Sequence, residues 1–114
     1  GIVLSQLECK NADKGTAEQI NETTKLKNGA IYLRVEFKAG KKKLKESEGG
    51  SDVLAMCKFS YSLDGKKFKS MGNEFQAKEG MWIGTKVGTF CTRPAITIND
   101  GGWSEVDWFR ITKK

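Results

Sequence analysis

Gly80-Met81-Trp82-Ile83-Gly84-Thr85-Lys86-Val87-Gly88-Thr89-Phe90-Cys91 is the stretch on which the fold class turns. Glycine recurs at 80, 84 and 88 inside a run rich in aromatic and β-branched residues. In a helix each such glycine costs about 1 kcal/mol against alanine, whereas on a strand face it leaves room for a close neighbour. The stretch therefore reads as a strand, with Trp82, Gly84, Gly88 and Phe90 on one face and Ile83, Val87 and Cys91 on the other.

The rest of the chain reads the same way. Ile31, Leu33, Val35 and Phe37 alternate with Tyr32, Arg34, Glu36 and Lys38, which predicts a strand with one buried and one wet face. Ile2 to Cys9 is a second strand with apolar residues on both faces, as in a sheet covered on both sides, and Ala17 to Leu26 is a polar edge or surface strand. Gly40 through Asp52 is charged and then glycine-rich, and reads as a mobile hairpin loop. Leu54 to Leu63 is a strand closed by Asp64-Gly65, the strongest hairpin signal present. Lys67 to Met71 returns, Gly72-Asn73 turns, and Glu74 to Gln76 is a short extended piece. Trp103 to Ile111 forms the final strand. About seven or eight short antiparallel strands separated by turn residues read as a β-sandwich.

Composition bounds the rest. A chain of 114 residues with 13 glycines and a single proline, Pro94, is one domain, residues 1–114, rich in turns. No apolar run reaches the roughly 20 residues that cross a bilayer as a helix, so no membrane partner is expected. Gly1 in place of methionine implies that the natural chain begins upstream. The formal charge is +6, but all of the 20 basic residues except Arg34, Arg93 and Arg110 are lysines dispersed along the chain, and no recognition element accompanies them. Nucleic acid is not an expected partner. Cys9, Cys57 and Cys91 form an odd set without C-x-x-C spacing, and histidine is absent, so neither a zinc centre nor a disulfide framework is expected. Cys57 and Cys91, in strand patterns, read as small buried hydrophobes, with one bridge as the alternative.

Three segments in order, F-S-Y-S-x-D-G-K-x-F from Phe59, W-I-G-x-K-V-G-x-F from Trp82 and G-x-x-x-V-D-W-F-R-I from Gly102, resemble the end of the concanavalin A-like C-terminal β-sandwich of family 43 glycoside hydrolases, the β-xylosidase and arabinofuranosidase family. The resemblance runs from Lys58 to Ile111 and takes in only the latter part of that domain. It implies an all-β, antiparallel jelly-roll sandwich, incomplete here and open to completion by self-association into a homo-oligomer. It also implies a non-catalytic accessory role, because the family's catalytic acids belong to a separate β-propeller. That propeller, in the same parent chain, is the partner implied, with xylo- or arabino-oligosaccharide as the sugar class. The alternative is an independent carbohydrate-binding module with a lectin-like sandwich. A bacterial periplasmic or extracellular address is favoured over others without a signal in these residues.

No residue is carried over as catalytic. Glu105 and Asp107 share a strand face on this reading, so they cannot straddle a glycosidic bond as two catalytic carboxyls must. No cofactor or metal is expected, since Asn99 and Asp100 lack the further oxygen ligands of a calcium loop. Sugar rings stack on exposed aromatics beside polar groups. By that criterion the carbohydrate-binding candidates are Trp103 with Asn99 and Asp100, then Trp82 and Tyr61, each weighed against a role in the core. Phe59, Phe90, Trp108 and Phe109 are assigned to the core outright.

Overall fold

The computed structural model describes residues 1–27, 29–41, 53–77, 85–92 and 103–113. The protein is all-β. Strands β1 (Ile2–Glu8) and β2 (Gln19–Leu26) form one antiparallel sheet, and β3 (Tyr32–Lys41), β4 (Val53–Ser62) and β5 (Lys69–Ala77) form the other in the order β3-β4-β5. The sheets stay open instead of closing into a barrel, as an incomplete jelly-roll sandwich does. A 3-10 turn at Ala12–Lys14 links β1 to β2 between Asn11 and Gly15, both left-handed.

The alternation read in β3 holds. Its register places Leu33 opposite Tyr61, Val35 opposite Phe59 and Phe37 opposite Cys57, while β5 continues those rows with Lys69, Met71 and Phe75. Phe59 and Phe75 stack at 5.2 Å between ring centroids. Among the described residues, Cys57, Tyr61 and Met71 are the buried apolar side chains, so the core sits on the inner face of β4 and β5. Burial pushes the Cys57 thiol up, against a weaker opposing hydrogen bond to the Ala77 backbone, and keeps it in the thiol form. All three cysteines are free, so the single-bridge alternative is not realised, and Cys91 is exposed instead of buried because its segment forms no strand.

Two irregularities join the sheets. In β2, Gln6 lies opposite Glu22 but Leu7 lies opposite Ile20, which leaves Asn21 as an extra residue. In β5, Met71 lies opposite Phe59 but Phe75 lies opposite Cys57, so Gly72, Asn73 and Glu74 all stand across Lys58. Bulges remove residues from the ladder and free their backbone groups for other partners. Here the Gly72 N–H donates to Glu22 Oε2 at 2.7 Å, and Asn21 Nδ2 donates to Gln6 Oε1 at 2.7 Å. Gln6 is 4% exposed and in turn donates from Nε2 to the Leu7 carbonyl at 3.3 Å. Gly72 has φ +71°, and a Cβ there would sit 2.2 Å from Gln6 Oε1. The seam thus needs glycine twice over, for its conformation and for its space. Asn21-Glu22-Thr23 has the N-x-T pattern of a glycosylation acceptor, and in this seam the Asn21 side-chain nitrogen is already engaged by Gln6 and Glu8.

The hairpin signal at Asp64-Gly65 is also realised. Asp64 Oδ1 accepts from the Lys66 and Lys67 N–H groups at 2.8 and 3.0 Å, and Ser62 Oγ accepts from Gly65 N–H at 2.9 Å. The Lys67 and Lys66 backbone bonds, then the Ser62 hydroxyl, hold the Asp64 carboxyl below its ordinary value of 3.8.

Several sequence expectations require correction. Gly72-Asn73 is not a turn, because the bulge absorbs both residues and β5 runs unbroken to Ala77. The charged loop starts later than Gly40, since Gly40 and Lys41 pair with Leu54 and Val53; the remainder, 42–52, lies outside the described residues. Val3 and Leu7 face solvent, so the β1-β2 sheet is covered on one side only among the described residues. Among the described residues, 85–92 and 103–113 pair with no strand, and the expected strands Gly80 to Cys91 and Trp103 to Ile111 are not formed there. Residues 80–84, with Trp82, lie outside the described residues. Alternation reports which faces a strand would have, but pairing depends on a neighbour with a free edge.

Two measurements check this account. Gly72→Ala should lower the urea-unfolding free energy by about 1–3 kcal/mol, the usual cost of a side chain forced into a sparsely populated backbone region; unchanged stability would contradict the seam. Because the Asp64 pKa is lowered on folding, its contribution is present above about 3.8 and lost as pH falls through the folded value. Asp64→Asn should therefore flatten the dependence of stability on pH between neutrality and strong acid, as read by urea unfolding across that range.

Candidate functional site

Between the two sheets lies an open cleft of about 770 Å³. Its inner wall is the apolar face of the larger sheet, where Leu33, Val35, Phe59, Tyr61 and Met71 meet Ile2 and Leu4 of β1. Residues 87–89 and 104–109 form its rim. A stripe of apolar side chains on β3 is thereby left only partly covered, and Leu33 and Phe37 remain exposed.

Trp108 anchors the rim. Its ring lies 6.1 Å from that of Tyr32, and the Arg110 guanidinium stands 4.9 Å from the centroid of the Trp108 ring. Tyr32 is fixed from behind by Gly65, where a Cβ would approach its ring to 3.0 Å. The tight hairpin after β4 therefore positions the aromatic contact that holds the C-terminal segment against the sheet.

The candidates from sequence fall apart in space. Trp103 is 77% exposed, in keeping with a binding role. Tyr61 is 8% exposed and serves the cleft wall as part of the core. Trp82, Asn99 and Asp100 lie outside the described residues. The assignment of Phe90, Trp108 and Phe109 to the core is overturned: they are 89%, 56% and 55% exposed. These residues sit in segments without strand partners among the described residues, and only Phe59 of that group packs as expected. The Tyr32–Trp108–Arg110 ladder was not legible, because Tyr32 lies on the wet parity of its strand.

Glu105 and Asp107 both line the cleft rim from the irregular segment, with a bend at Asp107. Among the described residues, no three His, Cys, Asp or Glu side chains gather closely enough to hold a metal ion. No helix among them is long and apolar enough to cross a membrane.

The model of the beta xylosidase C-terminal Concanavalin A-like domain matches residues 2–112. The chain belongs to this family. The domain is the non-catalytic C-terminal part of family 43 glycoside hydrolases. The match begins at Ile2, so it takes in β1, β2 and β3 and not only the Lys58–Ile111 portion that carries the legible motifs. Comparison with curated proteins gave no match, and comparison with solved structures gave none.

With Trp82 and Trp103 replaced by Phe, acrylamide quenching should find Trp108 half accessible, and Tyr32→Ala should raise its quenching constant. A Trp108 already as open as free indole would contradict the ladder.

Proposed function

We propose that this domain stabilises the catalytic propeller of its parent glycoside hydrolase by packing against it along the cleft rim, and so helps position xylan- or arabinan-type substrate. The reading is carried by one observation: Val106, Trp108 and Phe109 are all more than half exposed at the edge of an apolar cleft. Isolated surface hydrophobics are ordinary, but exposed apolar side chains gathered along one apolar cleft mark a contact with another protein surface. Inter-domain contacts within one chain have this character. Membership of a family defined as a C-terminal domain of β-xylosidases supports the propeller as the occupant.

The experiment uses the full-length parent. Trp108→Glu with Phe109→Glu should lower the melting temperature of the propeller and reduce its activity, while the propeller's own acids are untouched. A parent enzyme indifferent to both changes would refute the reading. Self-association of the domain through the same surface is the competing occupant, and sedimentation of the isolated domain as a concentration-dependent dimer would favour it.

The second reading, an independent carbohydrate-binding module, is favoured by the exposure of Trp103 alone. It requires saturable quenching of tryptophan emission by xylo- or arabino-oligosaccharides that Trp103→Ala abolishes.

A further inference from the structure

We infer that the outer face of the β3-β4-β5 sheet carries a recess for the carboxylate of a sugar acid, one uronate unit of an acidic saccharide. The face is opposite to the core. Strand register brings Arg34 across from Ser60 and Ser60 across from Ser70, with Glu36 across from Lys58 in the next row. The hairpin loop adds Lys66 and Phe68, and together these side chains enclose about 310 Å³. That is near the lower end of the roughly 300–1,000 Å³ typical of small-molecule sites and suits a single ring.

The chemistry of the lining selects the ligand. Three cations, Arg34, Lys58 and Lys66, converge with one carboxylate, Glu36, so the recess has a positive balance. The Arg34 guanidinium lies 3.5 Å from the centroid of the Phe68 ring, which holds its plane. Its ion pair with Glu36 is long, 3.8 Å, beyond hydrogen-bond reach, and both side chains remain partly exposed. A planar guanidinium held by an aromatic face is suited to grip a carboxylate through two parallel N–H bonds. The Ser60 hydroxyl is buried with no hydrogen-bond partner among the described residues, an arrangement that a ligand hydroxyl reaching it would relieve. Ser70 offers a second hydroxyl in the same row. A small inorganic anion would satisfy the cations but neither fill the volume nor use both serines.

The saccharide half of this inference rests on the carbohydrate context of the proposed function; the anion half rests on the recess alone. Amide chemical shifts of the isotopically labelled, folded domain should be followed during titration with glucuronate, glucose and inorganic phosphate at constant ionic strength. Glucuronate should saturate and move the amides of Arg34, Ser60 and Lys66, and glucose and phosphate should each bind at least about tenfold more weakly. Arg34→Gln should weaken glucuronate by about tenfold, and Lys66→Gln, on the exposed loop, keeps the test available should the strand variant fail to fold. Phosphate binding as tight as glucuronate, shifts confined to the cleft on the other face, or no saturation would overturn the inference. None of these results bears on propeller stabilisation, which is measured in the full-length enzyme.

Discussion

A single backbone N–H, that of Gly72, donates across the gap between two sheets to the carboxylate of Glu22 at 2.7 Å, and the placement of the smaller sheet depends on it. The bond exists because β5 bulges. A residue inside the regular ladder has already committed its N–H to a neighbouring strand, whereas a bulged one has not. A hydrogen bond to a charged acceptor contributes about 1.5–3 kcal/mol, more than one between neutral groups. The facing bulge in β2 completes the arrangement by sending Asn21 to Gln6, whose side chain fills the space that any residue other than glycine would claim at position 72. A buried glutamine with both ends engaged fixes position as well as contributing energy.

Fastening the sheets at one seam leaves the other end of the gap open. The apolar face of β3 and the side chains of residues 87–89 and 104–109 line a cleft and do not close it. The same geometry that secures β1 and β2 to β5 therefore creates the uncovered surface on which the proposed contact with a propeller depends. The opposite face of the larger sheet is polar, and its cations gather because antiparallel register aligns Arg34 and Lys58 with a loop that the Asp64 hairpin folds back over them. On the two proposals, the faces of one sheet serve different ends, one apolar for packing and one charged for a soluble ligand.

Much of the β-structure was legible in the residues. The alternation from Ile31 to Phe37 gave the face of β3 correctly, and Asp64-Gly65 marked the hairpin between β4 and β5 because aspartate and glycine satisfy local backbone groups without help from distant residues. The bulges were not legible. Gly72-Asn73 has the chemistry of a turn, and only the presence of Gln6 and Glu22, some fifty residues away in the chain for Glu22, turns it into a seam. The strands expected at Gly80 to Cys91 and Trp103 to Ile111 failed for a related reason: period-two patterning describes a strand that finds an edge, and residues 85–92 and 103–113 find none among the described residues. Of the site, Trp103 was weighed between the core and an exposed binding position, and it is exposed, while the ladder of Tyr32, Trp108 and Arg110 crosses elements and left no local trace. The family motifs identified relatives without locating a site.

The central claim, that one bulged amide ties the sheets together, is tested most directly by hydrogen exchange at Gly72. In the unaltered protein this amide should exchange slowly, protected by Glu22 although it stands outside the strand ladder. In Glu22→Ala it should exchange as fast as an exposed loop amide, together with loss of protection across β1 and β2. Rapid exchange of Gly72 in the unaltered protein, or protection that survives removal of the Glu22 carboxylate, would contradict the account.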